Sequence, residues 1–97
     1  MISRKTNSEL KFFVCQTADW QTVVLAEDAF SAAANFIEEC MNNSEKVPLA
    51  ALTLVQKMNE DLNDEPIETK IFFTPMILAD AGFHNEAIKL KNFLDEN

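Results

Sequence analysis

At Ala26 the spacing of apolar residues changes period, and that change limits what this chain can fold into. Upstream, Leu10 to Gln16 and Trp20 to Ala26 are short runs rich in Phe, Val and Thr, which read as strands. Thr17-Ala18-Asp19 between them reads as a turn, so a hairpin is predicted. Downstream, Phe30, Ala33, Ile37, Cys40 and Met41 recur at spacings that put them on one stripe of a helix. Ala29, Ala32, Ala34 and Phe36 widen that stripe, and the alanines permit close approach to a sheet. Asp28 is placed to cap the helix, whose positive end suits Glu27 and Asp28. Asn42-Asn43-Ser44 ends it.

Val47 to Met58 supports two periods. Leu49, Leu52, Val55 and Leu62 fall on a helical stripe, with Pro48 in its first turn. Leu52, Leu54, Gln56 and Met58 alternate instead with Thr53 and Val55, as in a strand. The strand reading is adopted, because a hairpin with few pairing partners would be marginal. Asn59 to Pro66 is polar and turn-forming. Ile67 to Phe73 reads as another strand, with Ile67, Thr69, Ile71 and Phe73 on one face and Phe72 on the other. Thr74-Pro75 has the form of an N-cap followed by proline at the first helical position. A short helix over Met76 to Ala81 would stop at Gly82 in a left-handed conformation. Phe83, Ala87, Leu90 and Leu94 then mark a closing helix. The fold class expected is α+β: an antiparallel sheet of about four strands with two helical segments packed on it, in the order ββαββα(α). Residues 1–97 are read as one domain, with 1–8 a flexible N-terminal tail.

A strand with one wet face should alternate between apolar and polar residues. Phe12-Phe13-Val14-Cys15, Val23-Val24-Leu25 and Ile71-Phe72-Phe73 do not. These segments are therefore expected to be dry on both sides, covered by helices on opposite faces or by a second subunit. Two helical segments give thin cover for both, so a homo-oligomer is expected. Trp20, beside the hairpin turn, reads as a cap on one end of the core and as the first contact residue to name. Phe13 and Phe72, from the aromatic doublets, complete the interaction candidates.

Charge and composition exclude several chemistries. The net charge is −8, with sixteen acidic residues against eight basic, which repels phosphate backbones and argues against direct nucleic-acid binding. The same acidity fits a basic protein partner, so an acidic regulator is the alternative function. No apolar run is long enough for a membrane span, and Met1 to Asn7 lacks the apolar region of a secretory signal, so no membrane partner and a cytoplasmic setting are expected. Gly82 is the only glycine, whereas a dinucleotide fingerprint needs three and a Walker A loop two. No cofactor is expected. One histidine and two cysteines 25 residues apart match no zinc spacing. Asn59 to Glu65 has the alternating oxygen side chains of a calcium loop, but Asp64 and Lys70 stand where glycine and a bidentate glutamate are required. Glu38-Glu39 and the other acidic pairs read as surface charge. Cys15 and Cys40 read as free thiols acting as small hydrophobes, and His84 as a solvated or capping residue. No catalytic or metal-ligating residue is assigned. A Cys–His enzyme ranks third, behind the acidic regulator and a leading reading as a non-enzymatic protein-interaction or assembly module.

The run Phe73-Thr74-Pro75-Met76-Ile77-Leu78-Ala79-Asp80-Ala81-Gly82-Phe83, following an acidic turn and a Phe-rich strand, resembles small uncharacterised proteins of marine tailed phages. The resemblance covers roughly the last third of the chain. It implies a host-cytoplasm setting, and it carries neither an activity nor a site residue.

Overall fold

The hairpin predicted from the first two apolar runs is present in the computed structural model, which describes residues 10–44, 47–59 and 65–96. Strand β1 (Lys11–Thr17) pairs antiparallel with β2 (Trp20–Ala26) across a turn in which Ala18 takes a positive φ of 51°. Helix α1 (Ala29–Ser44) follows, then β3 (Leu52–Met58), β4 (Glu68–Phe73), α2 (Thr74–Asp80) and α3 (His84–Asp95). The four strands form one antiparallel sheet in the order β2-β1-β3-β4, and the fold is α+β. Residues 1–8, read as a tail, and most of the Asn59–Glu65 loop lie outside the described residues.

Because β2 and β3 both run antiparallel to β1, they are parallel to each other, and the chain must cross over β1 to join them. Helix α1 is that crossover, touching β1, β2 and β3. Its first turn is fixed as the sequence predicts: the Ser31 amide donates to Asp28 Oδ1 at 2.8 Å. That bond, with the Ser31 hydroxyl, holds the Asp28 carboxyl below its ordinary pKa. Ala32, Ala33, Phe36 and Ile37 are fully buried, with Ala29 and Met41 nearly so. The alanines bring the helix close to β1, where the Cys15 thiol lies 3.8 Å from the Ala32 carbonyl oxygen. Phe30 departs from the predicted stripe. It sits at the edge of the buried face, 37% exposed, and packs edge-on against Phe72 with ring centroids 5.7 Å apart.

Residues 52–58 resolve to strand, pairing with β1 on one side and β4 on the other. Two hydrogen bonds of threonine hydroxyls tie this strand to its surroundings. Thr17 Oγ1 donates to the Leu52 carbonyl at 3.1 Å, and Thr53 Oγ1 shares a buried hydrogen bond of 2.9 Å with Thr74 Oγ1. Thr74 is thus not the N-cap expected from Thr74-Pro75. Phe73 holds the cap position without a side-chain bond, and Thr74 is already helical. Its hydroxyl is drawn inward because Thr53 is a buried group needing a partner. Gly82 does stop α2, at φ +98°. The Gly82 amide donates to the Ala79 carbonyl at 3.1 Å and the Phe83 amide to Leu78 at 2.8 Å, a Schellman ending. Helix α3 then folds back on α2, burying Ala87 and Leu90.

The core lies between the sheet and this helical layer. Phe13, Cys15, Val24, Ala26 and Val55 enter it from the strands; Ile77, Leu78 and Leu90 enter it from α2 and α3. Every strand residue of that core belongs to one face. Among the described residues the helices do not divide between opposite faces, and Val23, Leu25, Leu52, Ile71 and Phe73 of the strands are exposed rather than dry. Among those same described residues, no helix packs on the other side of the sheet.

Candidate interaction surface

Strand register assigns each side chain to a face. Phe13 pairs with Val24 and Lys57, and Cys15 with Thr22 and Val55, on the side beneath the helices. Their neighbours project from the other side: Phe12, Val14 and Gln16 from β1, and Gln21, Val23 and Leu25 from β2. From β3 come Leu52, Leu54, Gln56 and Met58, and from β4 Thr69, Ile71 and Phe73. None of these residues is charged. Met58, at the end of its strand, is buried, and Phe12, Val14 and Leu54 are half-buried in the middle of the sheet. Val23, Leu25, Leu52, Ile71 and Phe73 are between 44% and 59% exposed.

The charged residues of the strands are Lys11, Lys57, Glu68 and Lys70, and all belong to the helix-covered face. With Glu27 and Asp28 they line a hollow of about 130 Å³ at the end of that face. Two of the lysines have close partners: Lys11 Nζ donates to the Glu27 backbone carbonyl at 3.3 Å, and Lys70 Nζ lies 3.7 Å from Glu68 Oε2. This inverts the usual arrangement. A sheet packed on one side normally turns its polar and charged residues to water on the other, and exposed strands use charge to deter association.

The bare face continues around the end of β4. Phe73 also lines a shallow apolar groove of about 280 Å³ with Pro75 and Met76 of α2 and Ile88 of α3, rimmed by Lys91. That volume lies just under the range of ~300–1,000 Å³ usual for small-molecule pockets, and the groove is open to the side. It reads as an extension of the apolar surface.

The structure places the sequence-predicted contact residues elsewhere. Phe13 is 2% exposed beneath α1, which removes it from any partner's reach. Phe72 is half-buried on the covered face, against Phe30. Trp20 packs on one end of the core and lines a hollow with Val47, Pro48 and Leu49, in keeping with its reading as a core cap. The three candidates share the covered face and are not brought together as a surface. Aromatic size selected them, whereas the face is defined by residues of the opposite parity. The charges of the strands gave no correct signal, because Lys11, Lys57, Glu68 and Lys70 all share the helix-covered side, whereas the uncharged side of a sheet is ordinarily the packed one.

Cys15 and Cys40 are free thiols. Desolvation, with the Cys40 sulfur nearby, pushes Cys15 up to about 12. Burial, with Glu39 beside it, pushes Cys40 up to about 11. Both are thiols rather than thiolates at neutral pH, so neither is an activated nucleophile. His84 is exposed at the start of α3. Among the described residues no group of three or more His, Cys, Asp or Glu side chains is arranged to hold a metal ion. Nor is any described helix long and apolar enough to cross a membrane. No family model matches the chain, and neither a curated protein nor a solved structure does.

Proposed function

We propose that this chain is a non-enzymatic protein-interaction module whose working surface is the uncharged face of its sheet. The observation that carries this reading is the one-sided distribution of charge. Eight lysines and arginines and sixteen acids are available to the sequence, yet none projects from the open side of the strands. Contiguous exposed apolar patches larger than a few hundred Å² are rare on monomeric chains and mark interaction sites or membrane contacts. Protein is the better match for a sheet face with amides spaced among its aliphatic residues, since Gln16, Gln21 and Gln56 can donate to and accept from the polar groups of a protein partner.

The acidic-regulator alternative would use a different surface, the outer side of the helical layer, where Glu38, Glu39, Asp80 and Asp95 are exposed. The two make opposite predictions about salt. Contact through the sheet face persists at 1 M salt, whereas contact through the acidic helices weakens steeply, because the Debye length falls to ~3 Å. The test is sedimentation of the tagged chain in an extract of its native cells. The wild type is expected in a complex larger than its own 11.0 kDa at both salt concentrations. The double variant Val23→Glu/Ile71→Glu is expected to release it. A complex lost in salt but kept by the double variant would refute the sheet-face reading, as would a wild type sedimenting as a free single chain.

A further inference from the structure

Building on the reading of the sheet face as an interface, we infer that its occupant is a second copy of this chain, packed sheet against sheet about a two-fold axis. Three observations choose that occupant.

The first is electrostatic. Two chains of charge −8 repel, and they meet at least cost where neither carries charge. The bare face meets that condition. Sheet-to-sheet stacking also leaves the helical layers, with Glu38, Glu39 and Asp95, on opposite outer surfaces of the pair. They are then separated by several Debye lengths of ~8 Å at physiological salt.

The second is self-complementarity. A two-fold interface sets a patch against itself, residue i of one copy meeting residue j of the other, so every group must find its match within that same patch. Aliphatic side chains can. A carboxamide can too, because it both donates and accepts, and the polar groups on this face are Gln16, Gln21, Gln56 and the hydroxyl of Thr69. An ammonium or carboxylate could do so only if an opposite charge shared the patch, and the strands carry theirs on the other side.

The third is area. With strands ~4.8 Å apart and a rise of ~3.4 Å per residue, a sheet of this width and length presents roughly 450 Å² per copy. The groove beside Phe73 extends it, so a pair buries on the order of 1,000 Å², the lower end of what a specific interface needs. Area of that size does not by itself set the affinity, so the dissociation constant is read from a sedimentation titration.

The test is sedimentation equilibrium of the purified full chain from about 1 to 500 µM, beside Val23→Glu/Ile71→Glu and, as a control, Glu38→Lys/Glu39→Lys. The substituted sheet residues are 44% and 59% exposed in the single chain, so the fold does not depend on them, and circular dichroism verifies this. The wild type and the control should pass from 11.0 kDa to twice that mass. The sheet variant should raise the dissociation constant at least about 100-fold, since it places unpaired carboxylates inside a dry contact. A wild type that stays monomeric to 500 µM overturns the second-copy inference. It leaves the interaction-module reading standing if the same variant still releases a complex in cell extract. Dimers or longer assemblies indifferent to the sheet substitutions overturn both, by placing the contact at a strand edge or on the helices.

Discussion

At the scale of single residues, the positions that set this surface are buried ones. Thr53 and Thr74 share a hydrogen bond with no exposure to water, and that bond fixes the start of α2 beside β3, directly after Phe73 of the open face. A hydroxyl left without its partner in such a place costs roughly 1–3 kcal/mol, whereas removing both hydroxyls removes the unmet need as well. Thr53→Val and Thr74→Val should each destabilise the fold by that amount, and the double variant by clearly less than their sum. Urea denaturation of the four proteins measures the coupling; strict additivity would mean that the two hydroxyls do not depend on one another. The same scale shows what the sequence could and could not reveal. Asp28 was legible as a cap because an Asp before an apolar helical stripe has one favourable use. Thr74 was misread for a related reason: its local context is that of a cap, and the competing partner, Thr53, lies 21 positions away in sequence.

At the scale of elements, local pattern was a reliable guide where one period dominated. The hairpin, α1 and the closing helix follow from spacing alone. Residues 47–58 were ambiguous because Leu52 and Val55 fit both a helical and a strand repeat, and the need for a pairing partner, a non-local fact, decided the matter. Gly82 belongs to this scale because it separates α2 from α3 and turns the second back onto the first. No atom stands within 4 Å of where a Cβ would be, so the cost of a side chain there is conformational, set by φ +98°. Gly82→Ala should therefore destabilise by about 1–2 kcal/mol without disturbing packing. Thermal unfolding measures it, and an unchanged midpoint would show that the turn does not require the left-handed conformation.

Which face the helices cover was not legible, and the reason concerns the whole molecule. Adjacent apolar pairs such as Phe12-Phe13 and Val23-Val24 make both sides of the sheet look like core. Only the register, which aligns Phe13 with Val24 beneath α1 and Phe12 with Leu25 opposite, shows which member of each pair is covered. The described residues form a single helical layer for a sheet that is apolar on two sides, and the strand charges are placed where those helices are. That combination is what the proposed pairing of two copies rests on. It accounts for the open face without invoking a ligand, and it predicts that the face is dry in the working protein. The most direct measurement is the effect of a dissolved paramagnetic probe on methyl signals at high protein concentration. Val23, Leu54 and Ile71 should be shielded at several hundred micromolar and reached on dilution, while the methyl groups of Ala18, exposed at the tip of the hairpin, and of Ala26, buried under α1, stay reached and shielded respectively throughout. If Val23 and Ile71 relax as fast as Ala18 at every concentration, the sheet face is simply wet, and it is not where this protein meets another copy of itself.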